Sequence, residues 1–193
     1  MSLLEKALTA LAPTESHEAR QAARVRAQSL ADPDDWLSNV LVHHRQIESA
    51  FADVKASTTE AIRLEAQRRL GVILTGHANA EESVLYPALS GVADKGHAAT
   101  TAYAEQADAK TQMGLLERLA PMSQDYLEKL EHIREAVAHH MYEEEGTWFP
   151  ELKEKASVTD QIKLTRRYAE EFNRYVGDDA AGFKSARYAS GGR

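Results

Sequence analysis

Two stretches of the chain carry one pattern: HANAEESVLYP, from His77 to Pro87, and HMYEEEGTWFP, from His140 to Pro150. Both read His-x-x-x-Glu-Glu-x-x-x-aromatic-Pro. Residues i and i+4 share a face of an α-helix, with Cβ atoms about 5–6 Å apart. A helix-period pattern that occurs twice implies two helical hairpins built alike. The upstream residues agree, because His44 stands 33 residues before His77 and Gln106 stands 34 before His140.

The rest of the chain reads the same way. No stretch alternates as a strand does, and only 10 Gly and 5 Pro interrupt 193 residues, so the expected fold class is all-α. Residues 1–33 form an N-terminal helical extension: a short helix at residues 2–11, closed by Pro13, then a polar helix at about Glu15 to Leu30. ADPDDW supplies turn residues and then acids, which opens a first bundle helix from about Asp34 to Lys55. The second runs from about Thr59 to Leu89, with Ser57 or Thr58 as its cap and Glu60 completing a capping box with Ser57. The third covers about His97 to Leu119, ended by Pro121, and Ser123 caps a fourth that reaches Lys155. Short connections favour an up-down-up-down four-helix bundle over residues 34–155. SVTDQ opens a further helix within 156–177, and residues 178–193 lack periodicity and read as a mobile tail.

A bundle buries residues spaced alternately three and four apart. The first helix then buries Leu37, Val40, His44, Ile47, Phe51 and Val54. The second buries Ala66, Leu70, Ile73, His77, Ala80 and Val84, with Glu81 at the edge of the seam. The third contributes Ala102, Gln106, Ala109, Met113 and Leu116, and the fourth Leu130, Ile133, Val137, His140, Glu144 and Trp148. Every helix therefore places a polar side chain in the core, which is costly unless those groups satisfy one another or bind something. Imidazole and carboxylate one turn apart can converge on a metal at about 2 Å. Two such helices facing each other can bring two metals together, as in the carboxylate-rich bundles that hold di-iron or di-manganese. This donor set suits iron, zinc or manganese. His43 and His139 fall outside the seam and read as surface residues or as groups that support a ligand from behind, and Glu82, Glu143 and Glu145 read as solvated, with Glu82 or Glu145 placed to orient a ligand.

Composition narrows the partners. The chain has no cysteine, which excludes disulfides and thiolate metal sites. A net charge of −7 disfavours nucleic acid and anionic membranes. The start, MSLLEKALTALAP, has neither a basic lead nor a long apolar run, so neither a signal peptide nor a membrane span is expected and a cytoplasmic location is.

The histidine of the first helix, the H-x-x-x-E-E and aromatic-Pro of the second, and the H-H-x-x-x-E-E-E-G and aromatic-Pro of the fourth together resemble the hemerythrin-like, or HHE cation-binding, domain. The resemblance covers about Asp34 to Lys155. It implies a four-helix bundle with a non-heme di-iron centre that binds or senses dioxygen or a related small molecule. It implies His44, His77, Glu81, His140 and Glu144 as metal ligands, with Gln106 at a position the family usually fills with histidine. The His-x-x-x-His pair of the oxygen carriers is also missing, since Ala102 stands one turn before Gln106. An asymmetric or partly occupied site, or one taking another divalent metal, is the expectation that follows. Tyr103 and Glu105 are weaker substitutes for the missing ligand. Two other readings use the same residues: a di-iron enzyme acting on peroxide, nitric oxide or ferrous iron, and a degenerate bundle with a structural or interaction role.

Overall fold

A computed structural model describes residues 15–177, and among these every regular element is helical. The expected helix at residues 2–11 and the expected tail at 178–193 lie outside the described residues. Helix α1 spans His17–Leu30, α2 Trp36–Ala56 and α3 Glu60–Ala80. The last runs on through a π-helical turn, Glu81–Leu85, into α4, Tyr86–Gly91. Helix α5 spans Gly96–Leu116 and α6 Gln124–Glu143, which continues through a second π turn, Glu144–Trp148, into α7, Phe149–Lys155. Helix α8 covers Val158–Val176.

The boundaries have local causes. Asp35 caps α2 by accepting from the Ser38 backbone N–H, and Ser123 and Ser157 cap α6 and α8 in the same way. Helix α3 is capped by Thr59 rather than by Ser57 or Thr58. The Ser57 hydroxyl is committed elsewhere: it donates to the Asp53 carbonyl, closing the end of α2. Buried Arg63 donates to the carbonyls of Val54, Ser57 and Pro121, satisfying backbone acceptors where the chain turns between helices.

The seam is buried as its spacing predicts. All the seam residues of α2, of α3 with its π turn, and of α6 with its π turn are buried, as are those of α5 apart from the half-buried Ala109. The two outer helices close the bundle. Helix α1 packs on α2 and on the second π turn, and α8 lies along α3 and α2 with Leu164, Tyr168, Phe172 and Val176 buried. Gly76 makes the α3–α8 contact close, since a Cβ there would meet Val176 Cγ2 at 2.6 Å. Trp36, fully buried, donates its indole N–H to Gln161 of α8 at 2.6 Å and meets the Phe149 ring edge-on. No described helix is long and apolar enough to cross a membrane.

Both π turns come just before a proline. Pro87 and Pro150 have no N–H to give, and their rings crowd the carbonyl four residues back. In each turn the chain widens instead: the Tyr86 N–H reaches Glu81 O, and the Phe149 N–H reaches Glu144 O. Such a turn holds one more residue than an α-turn and rotates everything after it.

Candidate metal centre

The π turns carry the two inward glutamates, and four helices bring histidine or glutamine to meet them. His44 comes from α2, His77 from α3, Gln106 from α5 and His140 from α6. All six expected residues are buried, His44, Glu81 and Glu144 completely. The structure brings them into one cluster but divides it into two unlike halves.

In the first half, His77 Nε2 lies 3.2 Å from Glu81 Oε1, and His44 Nε2 lies 3.3 Å from Glu144 Oε2 and 4.0 Å from Glu81 Oε1. One donor atom from each of His44, His77, Glu81 and Glu144 falls within 4.8 Å of all the others. Metal bonds of about 2.0–2.2 Å to nitrogen and carboxylate oxygen place neighbouring donors roughly 3–4 Å apart, so this set fits one cation. None of the four facing atoms, His44 Nε2, His77 Nε2, Glu81 Oε1 and Glu144 Oε2, has a hydrogen-bond partner. Buried polar atoms are normally paired.

In the second half, the Tyr86 hydroxyl lies at the middle. It is 3.0 Å from His140 Nε2, 3.0 Å from Glu144 Oε1, 3.2 Å from Glu81 Oε2 and 2.5 Å from Gln106 Nε2. Gln106 also donates to Glu81 Oε2 at 2.7 Å. Tyr86 was invisible to seam counting. At about 100° per residue, a straight helix puts residue 86 on the face opposite residue 77, and the extra residue of the π turn swings it inward by about 100°. The signal that could have found it was Pro87, which disturbs the turn before it.

Each imidazole is held from behind. His44 Nδ1 meets Glu145 Oε1 at 2.7 Å, His140 Nδ1 meets Glu105 Oε2 at 2.7 Å, and His77 Nδ1 meets the Tyr168 hydroxyl at 3.0 Å. The two carboxylate contacts favour a proton on Nδ1, which leaves Nε2 free to ligate. Glu145 is anchored in turn by Arg24 of α1, which also pairs with Glu48. Of the two glutamates expected as orienting groups, Glu145 takes that part, while Glu82 pairs with Lys110 at the surface. Glu105 supports His140. Tyr103 is 40 % exposed and donates to the Glu82 carbonyl, away from the cluster. Of the two readings of His43, the structure takes the one behind the ligands: α8 covers it, Phe172 stacks on its ring at 3.8 Å, and Tyr168, which also meets His77, lies 2.8 Å from its Nδ1. Tyr168 lies 91 residues from His77 and outside both motifs. Only the four-residue spacing of the α8 stripe could have pointed to it. A Tyr168→Phe variant is expected to weaken metal affinity about 10- to 100-fold, the usual cost of losing an orienting partner, as competition with a chromophoric chelator would measure.

Charge is crowded here. Burial works against the charged form of His44, but the carboxylates of Glu144 and Glu145 outweigh it and raise its pKa to about 9. Burial and the charges of His44 and His43 push His77 well below the ordinary range. Burial and the charge of Glu144 push Glu81 well up. For Glu144 burial is overcome by contact with His140 and His44, which lowers it. The two glutamates are thus shifted in opposite directions although the sequence repeat makes them equivalent.

A cavity of about 710 Å³ lies between α3, α5 and α6, walled by apolar residues such as Ile47, Leu74, Met113 and Val137 and touched by His77, Gln106 and His140.

A family model for the hemerythrin HHE cation binding domain matches residues 37–180. A DNA nickase from Nostoc sp. is 25% identical over 133 residues, which is 69% of this chain and 36% of the nickase. The chain thus spans about a third of that relative's length. No solved structure matches.

Proposed function

The chain belongs to the hemerythrin HHE cation-binding family, and from that premise we propose that it holds non-heme iron and binds or senses dioxygen or a related small molecule. The observation that carries the metal reading is the set of four buried donor atoms without partners, on His44, His77, Glu81 and Glu144. Two imidazoles and two carboxylates form a donor set that suits iron, zinc or manganese. Bound there, iron would supply an open coordination position and redox chemistry. The chain's own residues do the rest. Glu145, Tyr168 and Glu105 fix the three imidazoles, and His140 and Gln106 border the cavity through which a small apolar molecule can approach.

The nickase name describes a much longer protein, and this chain's net charge of −7 opposes a phosphate backbone. DNA is therefore not among the ligands proposed. The test is elemental analysis of protein grown with added iron. Retained iron is the expected result; protein that comes out metal-free and cannot be loaded with iron sinks the reading.

A further inference from the structure

We propose that the cavity between α3, α5 and α6 binds a neutral molecule with an aliphatic body and a hydroxyl at one end, the class of a long-chain alcohol, with the hydroxyl at Gln106. That this end lies beside a metal rests on the metal reading above; binding in the cavity does not.

A molecule the size of dioxygen needs about 30 Å³, the share of one water in the liquid, whereas the cavity holds about 710 Å³. Sites for whole organic ligands span roughly 300–1,000 Å³. The space exists because α3 and α5 touch at few points and because small residues face it. Gly71 of α3 and Gly114 of α5 both line it. Both lie within regular helices, which glycine disfavours. Neither is needed for a close approach, since an added Cβ at either would meet no atom within 4 Å. The room they leave joins that beside Ala78, Ala109 and Ala136.

The walls select the ligand. Leu74, Met113, Val137 and Met141 are aliphatic and flexible, which suits an alkyl chain. The carboxylates of Glu105, Asp108 and Glu117 line the cavity against the ammonium of Lys110, which already pairs with Glu82. An anionic head is therefore repelled, and a cationic one would meet the imidazoles and the metal at the inner end. One group at that end is open. Gln106 is 6 % exposed and gives its amide nitrogen to Glu81 and Tyr86, but its Oε1 has no partner. A buried acceptor left so is costly, and a ligand hydroxyl donates to it without bringing charge.

The test is displacement of the neutral dye N-phenylnaphthylamine from the full chain, metal-free and zinc-loaded, by decanol, decanoate and methyl nonyl ether. The ether is an isomer of decanol that has no donor. The dye should bind, and decanol should displace it at lower concentration than decanoate. Decanol should also bind roughly three- to tenfold more tightly than the ether, the worth of one net hydrogen bond. A Gly71→Leu, Gly114→Leu double variant fills the cavity and should weaken dye and decanol at least about tenfold. It should keep its metal and melt no lower than the native chain, because leucine favours the helix. Dye that does not bind, or that binds the double variant as well as the native chain, overturns the inference. Decanoate or the ether matching decanol on the native chain overturns the neutral hydroxyl class without recourse to a variant. A preference over the ether that vanishes on zinc loading gives Gln106 Oε1 to the metal and overturns the place assigned to the hydroxyl. Decanol binding in a chain that cannot be loaded with metal sinks the metal reading and leaves this inference standing.

Discussion

Stripped of metal, the protein is expected to unfold on the order of 10 °C below its loaded form. Three histidines and two glutamates sit almost wholly out of water in one cluster, and four of their donor atoms face one another without a hydrogen-bond partner. A buried polar group without a partner costs about 1–3 kcal/mol. A ligand that binds only the folded state adds about 4 kcal/mol when present at a thousand times its Kd. In a chain of this size each kcal/mol moves Tm by roughly 2–4 °C. Melting one preparation before chelation, after it, and after adding ferrous iron back under anaerobic conditions measures the difference. Coincident curves would mean that the cluster satisfies itself, which is the behaviour of a degenerate bundle with a structural role.

The parts of this centre that the sequence makes legible are those governed by helical period. Counting threes and fours placed His44, His77, Gln106, His140 and Glu144 inside and Glu143 outside, because one seam runs unbroken along each straight helix. What it missed lies where that period fails or where no period applies. Tyr86 follows a π turn, so its direction depends on a backbone insertion that side-chain spacing cannot register. Glu145 sits one residue beyond Glu144 and reads as solvated, yet it is 2 % exposed, because it lies within the second π turn and α1 lays Arg24 over it. Tyr168 and the burial of His43 depend on α8 docking across α2 and α3, a long-range contact that neither motif announces. The repeat also suggested two equivalent halves. It made the two aromatic-Pro pairs look alike, although only Tyr86 brings a hydroxyl into the cluster and Phe149 packs on Trp36.

Replacing Glu144 with alanine should do the most damage of any single change in the centre. Its Oε2 is one of the four donor atoms of the metal position, and its Oε1 meets both His140 and the Tyr86 hydroxyl. With the carboxylate gone, the metal position keeps three donors. His44 and His140 also lose a countercharge while still buried, and removing one partner of a buried ion pair costs about 3–5 kcal/mol. Metal retention should disappear, and the metal-free variant should unfold at clearly lower denaturant than metal-free native protein. Glu143, one residue earlier, lies about 100° around the helix and contributes no donor atom to the cluster. Glu143→Ala should therefore stay within about 0.5 kcal/mol of native protein, as surface changes do, and keep its metal. The pair separates the centre from the general acidity of the Glu143–Glu145 run. If both variants lose metal alike, a diffuse acidic surface holds the ion; if Glu144→Ala keeps it, the buried position assigned to this glutamate is not where the metal sits.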